Sequence, residues 1–268
     1  MTRNLIMILI VGLFTIVLVE NSFAQSKYKK GKERVENKRK ERDEDFIKIG
    51  VMGIYKPNYE GSDDYNEIGF PIIEIKYDRY FFNIDGLGMF LWKGKFVELT
   101  TAVGYEAGRN EDDSTDLNGL GDVEDGAKGN VGLKIKLGLL SLNAGYEKQF
   151  TGENTGYQCN YGLGLMLPLS KAFIIVTGVK ATYASDKYME KYFSVNSTQS
   201  SQSGLAVYTA EAGFKSVGAN IVGILNLSKN WGIQIIGNYT RLVSDAADSP
   251  IVKDKDQYFS AIGLSYKF

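Results

Sequence analysis

The stretch that most restricts this chain is its last eleven residues, Tyr258–Phe268. Tyr258, Ser260, Ile262, Leu264, Tyr266 and Phe268 fall on one side of an extended chain. Phe259, Ala261, Gly263, Ser265 and Lys267 fall on the other. Side chains alternate across a strand, so this is an aromatic and aliphatic face backed by a mostly small and polar one. Closed by Phe268, it has the form of a strand with lipid outside and a polar lumen inside. A half-buried strand of a soluble sheet carries the same alternation, so the rest of the chain decides between them.

Met1–Ala24 reads as a secretory signal. Arg3 precedes the apolar run Leu5–Val19, and Ser22-Phe23-Ala24 places small residues at a cleavage site after Ala24. That run is shorter than the ~20 residues a spanning helix needs, and no later stretch is long and apolar enough. A membrane role must then come through a closed sheet, which satisfies every backbone polar group without water. The expected organisation is a cleaved signal at 1–24, a charged periplasmic segment at 25–45 and a barrel at 46–268. Residues 26–45 crowd Lys and Arg with Glu and Asp around a single aliphatic, Val35, and cannot bury a core.

From Phe46 onward, alternating segments repeat. Ile47, Ile49 and Val51 oppose Lys48, Gly50 and Met52; Val97, Leu99, Thr101, Val103 and Tyr105 oppose Glu98, Thr100, Ala102 and Gly104. Trp231, Ile233, Ile235 and Tyr239 oppose Gly232, Gln234, Ile236 and Asn238. The connections divide into two kinds. Asp78-Arg79, Lys93-Gly94-Lys95, Gly138, Ser170-Lys171 and Ser228-Lys229-Asn230 are tight. Asn58–Gly69, Arg109–Gly129, Asp186–Gly204 and Ser244–Asp256 are long and polar. Short periplasmic turns and long outer loops are the asymmetry of an outer-membrane barrel. With both ends periplasmic the strand number is even. Taking Gly86 as a tight outer reversal and Leu205–Ser216 as loop gives an all-β antiparallel barrel of twelve strands, with ten and fourteen as alternatives.

Composition narrows the function. Thirty Gly, seventeen Tyr and fourteen Phe suit a barrel with aromatic girdles. A net charge of −1 gives no case for nucleic acid. Histidine is absent, which removes Ser-His-Asp and Cys-His nucleophiles and histidine metal sites. Cys159 stands alone and cannot form an internal disulfide. Catalysis by carboxylates alone stays formally open, but no paired-carboxylate motif stands out, and the expectation is a non-enzyme without cofactor.

Several motifs in chain order resemble the MipA/OmpV family of outer-membrane proteins, named for an MltA-interacting protein. They are Pro57-Asn58-Tyr59-Glu60-Gly61-Ser62-Asp63-Asp64, Asp78-Arg79-Tyr80-Phe81-Phe82 with Gly86-Leu87-Gly88, and Tyr188–Val195. Arg241-Leu242-Val243-Ser244-Asp245-Ala246-Ala247-Asp248-Ser249-Pro250-Ile251-Val252 and the closing Tyr266-Lys267-Phe268 complete the set. The resemblance covers roughly 46–268 and implies an outer-membrane barrel. For the family's namesake it implies a scaffold linking a murein-degrading transglycosylase to a murein synthase; other members look like adhesins or permeability factors. The partners expected are outer-membrane lipid and lipopolysaccharide, the barrel-assembly machinery, and a murein hydrolase or synthase.

Candidate sites carry two readings each. Asp63 and Asp64 could hold a divalent cation with Glu60 or Glu67, but the loop is more simply folded by Gly61 and by bonds from the Ser62 and Asp63 side chains to the backbone. Arg109–Gly129, rich in Asp and Glu, could bind Ca²⁺ or bridge lipopolysaccharide phosphates through cations, but reads more simply as a solvated acidic outer loop. Asp245, Asp248 and Ser249 before Pro250 read as turn chemistry, with Arg241 as partner to a carboxylate just below the rim. Inward-facing Glu74, Lys76, Glu98, Lys134, Lys136, Glu147 and Lys180 could line a pore or pair and fill it.

Overall fold

The computed structural model describes residues 45–152 and 156–268. Ala24 and all but the last residue of the 25–45 segment lie outside the described residues. Twelve antiparallel strands close into a barrel. In order they are β1 (Phe46–Pro57), β2 (Tyr65–Tyr77), β3 (Tyr80–Asn83), β4 (Gly86–Lys93), β5 (Val97–Glu106) and β6 (Gly126–Leu137). The second half comprises β7 (Leu140–Gln149), β8 (Tyr157–Pro168), β9 (Phe173–Ala184), β10 (Gly213–Asn226), β11 (Trp231–Leu242) and β12 (Asp256–Lys267). Each strand pairs with its sequence neighbours, and β1 closes on β12 from Lys48 opposite Lys267 to Tyr55 opposite Ser260.

The count and parity expected from the sequence hold. Tight turns follow the even strands; the longer connections follow odd ones, with the β3–β4 reversal at Ile84-Asp85 the short exception. Loop boundaries shift in places. Tyr65–Gly69 belongs to β2, Gly126–Gly129 to β6, and Gly213–Ser216 to β10, because the ladders run several residues past the point where polar residues begin. The β7–β8 connection is a further outer loop that the sequence pattern did not single out.

The wall is inside out relative to a soluble protein. Val51, Ile73, Leu87, Leu163, Ile221, Ile235 and Ile262 are exposed on the outer surface, an apolar surface far larger than a water-soluble monomer tolerates. Aromatic pairs bracket it. Tyr55–Tyr65 at 4.9 Å, Tyr146–Tyr157 at 5.4 Å and Tyr239–Tyr258 at 5.5 Å lie toward the outer ends, and Trp231–Tyr266 at 5.1 Å with Tyr266–Phe268 at 4.8 Å toward the periplasmic end. Amphipathic rings of this kind sit at the two membrane interfaces.

Many of the inward charges pair. Lys48 meets Glu74 at 2.6 Å, Lys136 meets Glu98, and Lys128 bridges Glu106 at 2.6 Å and Glu147 at 3.3 Å. Asn160 donates to Glu147 at 2.6 Å and accepts from Thr182 at 2.9 Å. These bonds cross between neighbouring strands and knit the lumen wall.

Candidate functional site

The buried apolar residues of this protein lie mainly in the outer loops. One cluster joins Val123, Ala184, Tyr188, Met189, Tyr192, Phe193, Ala210, Leu242, Ala246 and Ala247; a second joins Tyr59, Leu117, Leu120, Val195 and Ile251. Together they form a folded cap over the outer mouth.

Local sequence explains the pieces. The β9–β10 connection forms helix α1 (Asp186–Phe193) and helix α2 (Ser197–Ser203). Tyr188, Met189, Tyr192 and Phe193 recur at helical spacing and supply the buried face of α1. Asn196 and Gln199 form a capping box at the start of α2, and Gly204, at φ 76, ends it in the left-handed conformation that glycine adopts freely. The β11–β12 connection forms α3 (Ser244–Asp248), burying Ala246 and Ala247. In the β5–β6 connection two short 3-10 turns carry acidic side chains outward while Leu117, Leu120 and Val123 point in. The expected solvated acidic loop is therefore a folded part of the cap; its spacing of apolar residues, three apart, is the signal that its acidity conceals.

Loops distant in sequence interlock through the backbone. Gly61 N–H donates to Gln257 Oε1 at 3.2 Å, and Gln257 Nε2 donates to the Ser62 carbonyl at 3.0 Å. Lys253 and Asp254 N–H donate to the Gly61 carbonyl at 2.7 and 3.1 Å, and the Tyr59 hydroxyl donates to the Ile251 carbonyl at 3.1 Å. Gly61 sits at φ 102, and a Cβ there would meet Val252 Cγ2 at 2.7 Å, so this junction requires glycine. Ser249 Oγ donates to the Phe193 carbonyl at 2.6 Å, and the Tyr208 hydroxyl to the Asp245 carbonyl at 2.9 Å. Arg109 donates from Nη1 to the Tyr192 carbonyl at 3.0 Å.

Charge is concentrated at one buried point. Lys215 Nζ, at the outer end of β10, contacts both Glu60 oxygens at 2.6 and 2.7 Å, donates to the Tyr188 hydroxyl at 3.2 Å and lies 4.5 Å from the Tyr188 ring centroid. Tyr188 in turn donates to Glu60 at 3.3 Å and stacks on Tyr192 at 4.4 Å. Burial first, then the Glu60 carboxylate, hold the Tyr188 phenol well above its ordinary pKa. Burial, with Asp116 next, raises Tyr59, and burial pulls the Arg109 guanidinium down. The site ties one side of the mouth to the helix lying over it.

The residues singled out from sequence fall as follows. Pro57 ends β1 opposite Tyr65; Tyr59, Gly61 and Ser62 are buried in the loop junction. The Ser62 hydroxyl accepts from Asp64 N–H at 3.1 Å and donates to its carbonyl at 3.0 Å, while Asp63 and Asp64 stand exposed. Arg241 pairs with Asp256 at 2.8 Å at the base of the last outer loop. Asp245 accepts from Glu211 N–H at 2.8 Å, Asp248 pairs with Lys255 at 3.1 Å, Ser249 is buried, and Pro250 is half-buried in the turn after α3. Tyr266 pairs across to Ile49 and Trp231, and Phe268 N–H donates to the Ile47 carbonyl at 2.9 Å. The structure thus brings the first and last outer loops together and leaves Tyr266 and Phe268 at the opposite rim. Tyr188, Lys215, Glu60 and Arg109 form the centre of the cap, a grouping no linear motif reveals. Among the described residues no group of three or more Asp, Glu, Cys or His side chains is placed to hold a metal ion.

Wall, girdles and periplasmic turns together define an integral β-barrel protein of the outer membrane. The family described as MltA-interacting protein MipA matches residues 49–268, and the chain belongs to that family. It is 24% identical over 177 residues to the outer membrane protein OmpV of Vibrio cholerae, covering 65% of this chain and 67% of that protein. It is 25% identical over 134 residues to the outer membrane protein Omp26La of Vibrio anguillarum, covering 50% of this chain and about half (51%) of the relative. Among solved structures it is similar to the NanC porin, with a TM-score of 0.48 and 8% identity over 82% of this chain and 100% of that one. It is also similar to the translocator domain of the autotransporter NalP from Neisseria meningitidis, with a TM-score of 0.43 and 11% identity over 90% and 98% of the two chains.

Proposed function

We propose that the protein is a non-enzymatic interaction scaffold of the outer membrane, holding the machinery that synthesises or degrades murein close to the membrane. The family's description as an MltA-interacting protein supports the partner class. The observation that carries the reading is the cap: a helix-containing body with its own apolar clusters, built from interlocked outer loops, stands at the outer mouth and offers a folded surface. On this reading lipopolysaccharide surrounds the cap, the barrel-assembly machinery reads the strand ending in Tyr266 and Phe268, and the murein enzyme meets the periplasmic rim. Immobilised mature protein is expected to retain a murein hydrolase or synthase from a detergent extract of envelopes, identified by mass spectrometry. Retention of neither overturns the proposal.

A second reading, a narrow passage for small polar solutes, is favoured by one feature. A cavity of about 440 Å³ in the lumen is lined by Glu74, Lys76, Glu98, Thr100, Asn130 and Lys134 among others. Planar-bilayer recordings without conductance steps remove it.

A further inference from the structure

Among the described residues, the closed barrel leaves part of one strand unpaired on one side. Tyr77, Tyr80, Met89 and Thr101 form one rung across β2, β3, β4 and β5. Outward of that rung β2 continues twelve residues to Tyr65, whereas β3 continues three to Asn83, β4 three to Gly86 and β5 five to Glu106. β2 pairs with β1 along its length, from Phe46 opposite Lys76 to Pro57 opposite Tyr65, yet pairs with β3 only at Ile75, Lys76 and Tyr77. Among the described residues, Tyr65–Glu74 has no strand partner on its β3 side. Beyond the β3–β4 hairpin, whose tip at Gly86 lies against Val103 and Gly104 of β5, β2 therefore runs on with no strand beside it on that side.

The gap lies at membrane depth. Its β2 flank runs between Tyr65, stacked on Tyr55 at the outer interface, and Tyr77 near the periplasmic one, with Pro71 and Ile73 facing lipid between them. A strand edge left open to hydrocarbon is costly, at several kcal/mol for each unsatisfied polar group, so polar groups must meet it. Pairing with another strand is disfavoured by the edge itself: Pro71 has no N–H to offer and Glu67 sets a charge on the outer face, both devices that blunt edges.

The lumen face behind the gap is apolar. Ile68, Phe70 and Ile72 point inward from β2 beside Met52 and Ile54 of β1, and Ile68 and Phe70 remain 39% and 41% exposed. Across the lumen from β5 to β7 the face is polar, with Glu98, Asn130, Lys134 and Asn143. The 440 Å³ cavity lies behind and below the hairpin, lined by Glu74, Lys76, Asn83, Asp85, Glu98 and Lys134, with the Phe81–Phe90 ring pair at 5.4 Å. That volume is in the range of small-molecule sites.

We propose that this gap is a lateral portal through which single-tailed amphiphiles with an uncharged polar head pass between the outer leaflet and the lumen. The tail lies on the shelf of Ile68, Phe70 and Ile72. The head, a donor and acceptor like the backbone it meets, bonds the open edge of β2 and moves to the cavity, where carboxylates and ammonium groups are both present and neither sign of charge is selected. This inference is independent of the scaffold reading, since the portal and the periplasmic rim are different surfaces.

The test uses folded full-length mature protein in phosphatidylcholine vesicles and a dodecanol probe carrying a diazirine in its tail, with adducts mapped by mass spectrometry. Adducts are expected on inward Ile68, Phe70 and Ile72 and to be suppressed by excess unlabelled dodecanol. Adducts on lipid-facing Val51, Ile73 and Ile262 report ordinary contact and should not saturate. Phe70→Glu, which places a carboxylate on the shelf, is expected to cut the saturable labelling about tenfold while heat-modifiable mobility persists. The proposal is overturned if adducts are confined to lipid-facing positions, or if inward labelling does not saturate. It is equally overturned if the protein proves to be a dimer whose copies cross-link through β2.

Discussion

The cap is held by its own core, so it should unfold without the barrel. Phe193 is the residue to remove: it is fully buried, belongs to the larger cap cluster and contributes nothing to any strand ladder. Truncating a buried Phe to Ala costs about 3–5 kcal/mol when the surroundings cannot collapse. Collapse is limited here because the Phe193 carbonyl is pinned by Ser249 and the helix by Arg109 at the Tyr192 carbonyl. At about 1.4 kcal/mol per tenfold change, Phe193→Ala should raise the open population of the cap roughly 10²- to 10⁴-fold. Trypsin added to proteoliposomes reads this directly, because Lys187 and Lys191 lie on α1 and are cut only when the helix leaves the cap. Rapid cleavage there with an unchanged heat-modifiable shift is the expected result, and the lipid-facing control Ile235→Ala should remain resistant. Two outcomes refute the reasoning. Unchanged protection of α1 would mean the cap does not depend on its core, and loss of the mobility shift would mean cap and wall form one cooperative unit.

Three further outcomes follow from the same geometry. Lys215→Met strands the Glu60 carboxylate and should weaken the cap by up to about 3 kcal/mol; adding Glu60→Leu should recover most of the protease resistance. Gly61→Ala forces a side chain into a left-handed conformation and against Val252, so it should cost at least about 1–2 kcal/mol and speed hydrogen exchange at the Lys253 and Asp254 amides, whose acceptor is the Gly61 carbonyl. Tyr59 and Tyr188 have raised phenol pKa values in the folded cap. Their contribution is fully present below the unfolded tyrosine value of about 10 and is lost as pH rises beyond it. Tryptic cleavage in α1, followed from about pH 8 to pH 11, should therefore stay slow to near pH 10 and then accelerate, and a profile flat across that range would contradict the burial of these phenols.

The wall was legible in the sequence because its rules are local. A strand in a membrane must alternate with period two, and its connections must differ between the two sides of the membrane, so residues such as Val97–Tyr105 and Trp231–Tyr239 announce their faces without knowledge of their partners. Parity then restricted the strand number to an even one, with twelve favoured over ten and fourteen. The loops obey no such rule. Leu117, Leu120 and Val123 are spaced for burial inside an acidic segment, and Tyr188, Met189, Tyr192 and Phe193 are spaced as one face of a helix; charge in the first case and brevity in the second mask the pattern. What those side chains bury against comes from loops up to 196 positions away, as in the bond from Gly61 to Gln257. A contact of that separation leaves no period to read. The same holds for the gap beside β2: the sequence marks a short hairpin at Gly86 and a proline at position 71, but only the register of the sheet shows that, among the described residues, Tyr65–Glu74 has no strand on its β3 side. Sequence alone determined an alternating, membrane-exposed wall with an even number of strands, since each strand carries that information in itself; closure of the sheet fixed the number at twelve. The cap, its buried Lys215–Glu60–Tyr188 centre and the open side of the wall were decided by tertiary structure, since each exists only where distant segments meet or fail to meet.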